Sequence, residues 1–352
     1  MASDKSGEVN VRLLSHEEQD PSLWQDYVES RPESGPMHNA GWFKVLGEAF
    51  SVQPYYLLAV TKEGAVTGIM PLYLSRSIFA GKHLATLQDG ILANDANVAE
   101  KLFGEAVRIL EKVKGGYLLM RGGMAAGGKP DGSIRVVHTM VDTSLPSDAL
   151  LKTINKKTRW SIRQAAKCGY KFREGVEADI KDFYNVYARN LRRLGTPVIS
   201  FRAMAAIIRY LGPLCKLFTV YTSEAVVGGM ICIANGSGWS SFYAAVDEAA
   251  QDEFANYLLY WNVLEWMCER GCKAFDLGRS TPDSGVHHFK HKWSNRDVTF
   301  DYTYYGPRAK QQCSSSSAIR SRSSLKQKLW SRLPLPVCNL VGPVLRRRLP
   351  IG

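Results

Sequence analysis

The chain contains 352 residues, of which 45% are hydrophobic and 22% are charged, a composition that supports two domains with full cores. The N-terminus lacks the apolar stretch of a signal peptide, and the longest apolar run, Val226 to Ala234, is too short to span a bilayer. The seven cysteines show no zinc-site spacing and fit a reducing compartment. The sequence therefore predicts a cytoplasmic protein and argues against a transmembrane or disulfide-stapled class.

A weak internal repeat is the first organised feature along the chain. Residues 59–70 (AVTKEGAVTGIM) align with residues 219–230 (TVYTSEAVVGGM), with matched valine, alanine, glycine and methionine positions. Each segment alternates apolar residues around a short polar turn, which predicts a β-hairpin. Each is followed by a long helix that ends at a glycine, near Val98 to Lys114 and Phe254 to Arg270, and then by another strand. We therefore predict two similar halves, residues 9–145 and 146–305.

A basic segment opens the second half. Leu150 to Arg173 contains eight Lys or Arg residues and no acid. Five of these cations recur at intervals of three or four residues and are expected on one helix face: Lys152, Lys156, Arg159, Arg163 and Lys167. Like charges so arranged repel each other, and an anionic partner such as phosphate would remove that cost. The alternative is a solvated basic face. Asp179 is expected to cap the next helix and Gly195 to end it.

The segment from Phe275 to Trp293 combines a strand end, a glycine turn and a Phe-Lys pair. Lys273 to Leu277 predicts a short buried strand after the helix that ends at Gly271. The following residues, Gly278 to Ser280, then lie at the carboxyl end of a strand, where α/β folds usually bind ligands. The residues of the preceding helix, from Asn256 to Trp266, keep helical spacing and are expected to pack in the core rather than bind a sugar.

The net charge of +12 is concentrated near the C-terminus. Residues 306–352 contain ten Lys or Arg and no Asp or Glu, which leaves 35 of the 45 cations against all 33 acids in the first 305 residues. A Ser- and Arg-rich stretch, 311–324, predicts a linker, and residues 325–349 alternate apolar and basic residues. Such a tail can bind an anionic membrane surface. The alternatives are a solubilising tail, or one packed on the body through Leu333, Leu335, Val337 and Leu340.

Taken together, these motifs resemble the FemAB-like acyltransferases, whose pattern D-[FL]-G-R-S, G and F-K-x-x-W is matched by Asp276 to Ser280, Gly285, Phe289, Lys290 and Trp293. The LGTP and RLPLPVCNLVGP segments, starting at Leu194 and Arg332, resemble the branch associated with exosortase and PEP-CTERM systems. The resemblance implies an α/β (α+β) fold of tandem GNAT-like acyltransferase folds, with two mixed sheets flanked by helices. It also implies transfer of an aminoacyl or acyl group to an amine in cell-envelope or exopolysaccharide assembly.

The resemblance further implies roles for individual residues. Lys290 is expected to offset the negative charge that develops as the donor ester is attacked, with Arg279 as a second cation. Alternatively, Arg279 forms a salt bridge with Asp276 that braces the turn. The candidates for the base are Asp276 and Asp247, although a buried structural carboxylate explains each equally well. The expected substrate contacts are Phe289 and Trp293 in the channel, Lys157, Arg159, Arg163 and Lys167 on phosphates, and Thr196 at the acceptor site.

The identity of the donor stays open between aminoacyl-tRNA and acyl-CoA, and no tightly bound cofactor is expected. The connections at Gly90 to Glu100 and Ala244 to Tyr257 lack the glycine-rich turn that binds coenzyme A, and the second carries four acids that repel phosphate. The expected acceptor is a phosphorylated or lipid-linked sugar or peptide. An alternative from another class is a non-catalytic scaffold that binds an anionic carrier lipid. The cluster of His287, His288 and His291 is not expected to bind a metal.

Overall fold

The computed structural model describes residues 9–14, 21–50, 52–77, 81–314 and 325–346. The chain divides into two compact units. The first contains the described residues up to Arg135 and those from Phe300 to 314, and the second contains Val136–Thr299 and residues 325–346. The units therefore interleave along the chain, whereas the halves expected from the sequence are consecutive.

The first unit begins with β1 and combines strands with helices. A 3-10 turn at Pro36–His38 and a π-helical turn at Val45–Phe50 flank the second helix. The elements are β1 (Asn10–Leu13), α1 (Ser22–Glu29), α2 (Gly41–Lys44), β2 (Gln53–Val60), β3 (Val66–Ser77), β4 (Gly81–Thr86), β5 (Leu92–Ala93), α3 (Ala96–Lys112) and β6 (Leu118–Arg121).

The elements that follow supply most of the second unit, and the two units divide within β7 and β13. They are β7 (Gly132–Asp142), α4 (Ser147–Thr153), α5 (Lys156–Lys167), β8 (Lys171–Glu174), α6 (Asp179–Arg193), α7 (Phe201–Leu211), β9 (Cys215–Tyr221), β10 (Val226–Asn235), β11 (Gly238–Val246), α8 (Glu248–Asp252), α9 (Ala255–Glu269), β12 (Ala274–Ser280), α10 (Gly285–Lys290), β13 (Arg296–Tyr305), α11 (Leu325–Arg332) and α12 (Leu335–Arg346).

Strands of the first unit follow the order β1-β2-β3-β4-β6-β13, with β5 paired to β3. All of these pairs are antiparallel except β4 with β6, which the chain joins through the helix α3. Asp95 caps α3 by accepting a hydrogen bond from the backbone N–H of Val98. The apolar face of α3, including Leu102 and Ala106, packs on Leu57 and Leu84 to form the core.

Strands of the second unit follow the order β7-β12-β11-β10-β9-β8, and only β11 and β12 run parallel. The helix α9 joins this parallel pair and supplies much of the core through Leu258, Leu259, Trp261, Leu264 and Met267. This confirms that the aromatic and aliphatic residues of α9 belong to the core.

The internal repeat predicted from the sequence is confirmed. A hairpin, a third strand, a helix and a parallel strand recur as β2-β3-β4-α3-β6 and as β9-β10-β11-α9-β12. Two matched glycines of the repeat leave no room for a side chain, since a Cβ on Gly68 would lie 2.7 Å from Val98 and one on Gly228 would lie 2.7 Å from Val246. The fold is therefore α/β, with the same unit built twice.

The helix α6 differs in detail from its prediction. Asp179 is its first residue rather than its cap, because the carboxylate bonds the guanidinium of Arg173 and the N–H of Val176. The helix ends as predicted at Gly195, whose φ of +68° is accessible to glycine at little cost. Within the described ranges, no helix combines the length and the apolar character needed to cross a bilayer.

Candidate functional site

The glycine turn in β12 interrupts the regular strand pairing of the sheet. β12 pairs with β11 only at Phe275 and Asp276, and its register with β7 shifts between Asp276 and Arg279. Gly278 adopts a φ of +80°, and a Cβ there would lie 2.8 Å from the carbonyl oxygen of Ser241. Only glycine fits this position without strain.

Lys290 fills the space beside this turn. Its ammonium group donates hydrogen bonds to the carbonyl oxygens of Gly278 at 2.5 Å and Arg279 at 3.0 Å, and the residue is only 4% exposed. Burial lowers the pKa of Lys290 to about 8; the negative charge of Asp276 opposes this shift and the positive charge of Arg279 adds to it. Lys290 is therefore a buried cation at pH 7 that can lose its proton slightly above that pH.

Asp276 bonds a residue that the sequence did not single out. One carboxylate oxygen lies 2.7 Å from Nδ1 of His138 on β7, and the other accepts the N–H of Gly278 at 2.7 Å. Both side chains of the pair are buried. The carboxylate is thus fixed by His138 and by the turn itself, and Arg279 is exposed at the surface beside it.

A second carboxylate binds a residue of α10 and the residue that follows the helix. Asp297 accepts hydrogen bonds from Nε2 of His287 at 2.8 Å, from Nε2 of His291 at 2.9 Å and from the hydroxyl of Thr139 at 2.9 Å. Burial acts to raise the pKa of Asp297, but the bonds from His291, His287 and Thr139 outweigh it and leave the pKa below its ordinary value. The helix that carries Lys290 is therefore held on one face by a shared carboxylate.

The ligand-capable atoms of His287, His291 and Asp297 lie within 4.8 Å of one another, which is the spacing of a metal site. The hydrogen bonds of His287 oppose this role. Its Nδ1 accepts the N–H of Asp283 at 3.1 Å, so in the neutral ring the proton resides on Nε2 and points at Asp297. A metal-bound histidine shows the reverse arrangement, with Nδ1 donating. The cluster is better explained as a hydrogen-bond network than as a metal centre.

Aromatic rings surround the Phe-Lys pair. Phe289 packs edge-on to Tyr260 with ring centroids 5.0 Å apart, and Trp293 stacks on the same tyrosine at 5.7 Å. Trp293 is buried and borders a pocket of about 340 Å³ that is also lined by Asn155, His291 and Lys292. These contacts fix α10 and the following turn on α9, and the channel role expected for Phe289 and Trp293 remains a prediction.

The basic segment forms two helices rather than one, which corrects the expected single face. Asn155 breaks the run, because its side chain caps α5 by accepting the N–H of Thr158. Lys152 therefore belongs to α4. The guanidinium of Arg159 donates to carbonyls at the end of α4, including that of Ile154 at 2.7 Å. Arg159 thus stabilises the junction between α4 and α5, in addition to its predicted contact with phosphate.

The remaining cations of α5 are available at the surface. Lys157, Arg163 and Lys167 are exposed, as is Lys156. Trp160 is 46% exposed in the same helix, with its ring against Phe254. An exposed cationic and aromatic helix surface is suited to a phosphate-bearing ligand with a planar group.

The start of α9 carries negative charge. Phe254 adopts a left-handed conformation, with φ at +66°, immediately before the helix, and the preceding Glu253 accepts a hydrogen bond from the hydroxyl of Tyr170. Asp247, at the end of β11, binds Arg189 through both oxygens, at 2.9 and 2.6 Å. Of the acids predicted to repel phosphate, Glu253 is therefore held at the start of α9, whereas Asp247 lies before α8 and is paired with Arg189.

Thr196 lies just after the end of α6 and is not part of the glycine turn of β12. Its backbone N–H bonds the carbonyl of Leu191, and a Cβ on the neighbouring Gly195 would lie 2.7 Å from the carbonyl oxygen of Gln327 in α11. The segment around Thr196 therefore packs against the C-terminal helices. A role of Thr196 at the acceptor site remains a prediction.

Sequence reasoning missed His138, Thr139 and Asp297. The first two lie in an alternating strand, VVHTMVD, whose pattern gives no sign of chemistry, and Asp297 is one acid in a polar turn after Trp293. The only signal in the sequence for Asp297 was the histidine cluster, which suggests that a carboxylate lies nearby.

Comparisons with known proteins give a consistent result. The acetyltransferase (GNAT) domain model matches residues 151–291. A comparison with the curated proteins gave no match.

Three solved structures illustrate the likeness. FemX superimposes with a TM-score of 0.62 at 14% identity, covering 87% of this chain and 99% of FemX. The C-terminal domain (DUF2156) of a putative lysylphosphatidylglycerol synthetase from Agrobacterium fabrum gives 0.56 at 11% identity, covering 86% and 96%. A tandem GNAT protein from the clavulanic acid biosynthesis pathway gives 0.50 at 12%, covering 84% and 97%. At these identities the likeness is one of fold.

Proposed function

We propose that this chain, which a GNAT-domain model matches over residues 151–291 and which shares the fold of FemX, is a FemAB-like acyltransferase that transfers an aminoacyl or acyl group to an amine of a cell-envelope or exopolysaccharide precursor. The observation that carries this proposal is Lys290, a buried ammonium group held on two carbonyls beside a glycine turn. In acyl transfer, negative charge develops on the carbonyl oxygen, and a preorganised cation stabilises it in a site that excludes water.

The chemistry assigns a role to each group. The amine nitrogen attacks the carbonyl carbon of the donor, and the electron pair of the C=O bond moves to oxygen, where Lys290 and then Arg279 offset the charge. Collapse of this intermediate breaks the ester or thioester bond, and the leaving group takes up the proton that the amine releases. Asp276 is the proposed base, because His138 and the turn fix its carboxylate. Asp247 is the weaker candidate, because it lies outside the segment from Phe275 to Trp293 that carries Lys290, and its carboxylate forms an ion pair with Arg189.

We propose an aminoacyl-tRNA as the donor. The acids held around the start of α9 disfavour coenzyme A in the pose that a GNAT enzyme uses, while the exposed cations Lys157, Arg163 and Lys167 suit RNA phosphates. Acyl-CoA is the second candidate, because the matching model is an acetyltransferase domain and the name of the tandem GNAT protein refers to acetyl-CoA. Neither donor requires a tightly bound cofactor.

The proposed acceptor is a phosphorylated or lipid-linked sugar or peptide. The motifs at Leu194 and Arg332 support a place in an exosortase or PEP-CTERM system by resemblance, and the name of one neighbour contains a lipid, lysylphosphatidylglycerol. We further propose that the protein acts in the cytoplasm and contacts the inner membrane surface through residues 306–352. A non-catalytic scaffold is disfavoured because Lys290 is held in a site suited to chemistry.

The experiment that tests the donor is competitive binding of charged tRNA, uncharged tRNA and acetyl-coenzyme A to the purified protein at two salt concentrations. Charged tRNA is expected to bind best, with affinity that falls steeply with salt. Arg163→Ala should reduce the slope of log affinity against log salt by about one, whereas Lys112→Ala in α3 should leave it unchanged. Preference for the coenzyme would replace the proposed donor, and binding of neither would overturn the transferase proposal in favour of the scaffold.

A further inference from the structure

The two C-terminal helices dock on α6 and on the segment that follows it. Arg192 of α6 donates a hydrogen bond from Nε to the carbonyl of Leu333, between α11 and α12. In α12 the buried positions are Cys338 and Gly342, and a Cβ on Gly342 would lie 3.1 Å from the backbone nitrogen of Val198. Residues on either side of the LGTP segment, Arg192 and Val198, therefore contact the segment RLPLPVCNLVGP. Of the alternatives left by the sequence, packing against the body holds for this inner face, but through Cys338 and Gly342; Val337 and Leu340, which the prediction named, are exposed.

The outer face of α12 is apolar and exposed. Val337, Leu340, Val341 and Val344 are 40%, 76%, 38% and 49% exposed. Their spacing of three, four and seven residues from Val337 places them on one stripe, away from the buried pair. Leu329 of α11 adds a fifth apolar side chain, 64% exposed. A contiguous apolar stripe of this kind on a folded surface marks a contact with another apolar phase or partner.

The charge around the stripe identifies the partner. Lys328 and Arg332 of α11 are exposed, and the whole region from residue 306 to 352 contains ten cations and no acid. A helix with an apolar face and basic surroundings is the form that lies in the interface of an anionic bilayer, where two weak signals add. A second copy of the chain is disfavoured, because joining two such faces would bring the cations of both together without acids to neutralise them.

We propose that the face formed by Val337, Leu340, Val341 and Val344 inserts into the headgroup region of an anionic lipid bilayer, with the surrounding cations on lipid phosphates. This inference rests on the membrane contact in the proposed function and not on the transfer chemistry. Because α12 is docked on α6, insertion would hold the body at a fixed distance from lipid-linked acceptors, which a free basic tail would not do.

The test is flotation of the full-length protein with vesicles of phosphatidylcholine containing about one third phosphatidylglycerol, compared with vesicles of phosphatidylcholine alone. The apolar arm uses Leu340→Asp and Val344→Asp, both at exposed positions that the fold does not need. The matched control is Val176→Asp, the same exchange at a valine that is 57% exposed in the loop before α6. The charge arm raises the salt concentration from 0.1 M to 0.5 M, at which surface attraction is screened.

Each outcome decides the proposal. Leu340→Asp and Val344→Asp are each expected to lower the vesicle partition coefficient at least about tenfold, and salt should lower it for every variant, while Val176→Asp should match the original. Unchanged binding of the two α12 variants, or equal binding to neutral vesicles, would overturn it. A change in oligomeric state without a change in vesicle binding would assign the face to a second copy instead. Donor binding is measured in parallel without vesicles. If the unmodified protein bound no donor, that result would contradict the proposed transfer activity and leave the proposed membrane contact unaffected.

Discussion

Each of the two units has a buried cation at the corresponding strand of the repeat, but the two cations have different roles. In the first unit Arg121, at the end of β6, donates to the hydroxyl of Tyr73 and the carbonyl of Thr86, both at 3.1 Å. In the second unit Lys290 donates to the carbonyls of Gly278 and Arg279 at the end of β12. Arginine stays protonated at any pH that the fold survives, whereas the lysine has a pKa of about 8. A repeated fold thus keeps a fixed cation in one copy and a titratable one in the other.

The largest effect expected from this comparison is on the stability of the first unit. Arg121→Met removes the donors to Tyr73 and Thr86 and leaves buried acceptors without them, at a cost of about 3 kcal/mol. In a unit of this size that corresponds to a fall in Tm of roughly 6 to 12 °C, measured by scanning calorimetry. Arg108→Met, the same exchange at an exposed position of α3, is the control and should leave the transition in place. A stable Arg121→Met protein that had lost transfer activity would reverse the division of roles.

The counterpart in the second unit is a change in chemistry. Lys290→Ala is expected to lower kcat on the order of a hundredfold, because the developing oxyanion loses its preorganised cation, while donor binding stays within about threefold. Lys290→Arg, which keeps the charge, should recover part of the rate. Lys273→Ala, at an exposed position before β12, is the control. If Lys290→Ala kept turnover within about threefold of the original, the catalytic role of Lys290 would be wrong.

The pH profile separates two roles for the same lysine. If Lys290 acts as a cation, activity falls about tenfold per unit as the pH rises above 8. A lysine that acts as the base would show activity rising through the same range. Lys290→Arg should carry the alkaline fall to higher pH, since its guanidinium keeps its proton.

Unfolding does not produce the same alkaline fall. The pKa of Lys290 is lower in the folded chain than its ordinary value of 10.5, so between about 8 and 10.5 the unfolded chain binds more protons. The free energy of unfolding therefore rises with pH across that window, by at most about 3 kcal/mol from this group. Activity and stability measured together should move in opposite directions above pH 8.

The sequence predicted the elements that repeat and the motif that ends the second repeat, because alternating strands, glycine turns and apolar helix faces are local signals. It located Lys290, Asp276 and Gly278 in one region for the same reason. It could not find His138, because its partner Asp276 lies on another strand, 138 residues further along the chain. Asp297 lies only ten residues from His287, but no local pattern shows that the chain turns back to bring the two together, and Thr139 is distant in sequence. It also joined α4 and α5 into one helix, since the spacing of cations outweighed the capping signal of Asn155.

The smallest effect expected concerns the positioning of Lys290 by the network around Asp297. Asp297→Asn keeps the shape of the side chain but replaces one acceptor oxygen with a donor, so that it cannot serve Thr139 and the two histidines together. We expect kcat to fall about tenfold with an unchanged KM, because α10 loses a support and the donor site does not. Asp283→Asn is the matched control, since that side chain is exposed and its backbone N–H still reaches His287.

A structural role alone would lower the Tm of Asp297→Asn without changing the alkaline limb of its pH profile. A role that acts on Lys290 moves that limb to lower pH, because burial lowers the pKa of Lys290 while the charges of Asp276 and Asp297 oppose that shift, and Asp297→Asn removes one of the two opposing charges. The first unit offers the contrast, since its cation lies within β6 itself and needs no separate helix to place it. In the second unit the titratable group, Lys290, is carried by the separate helix α10, and the hydrogen bonds of Asp297 hold that helix beside the glycine turn.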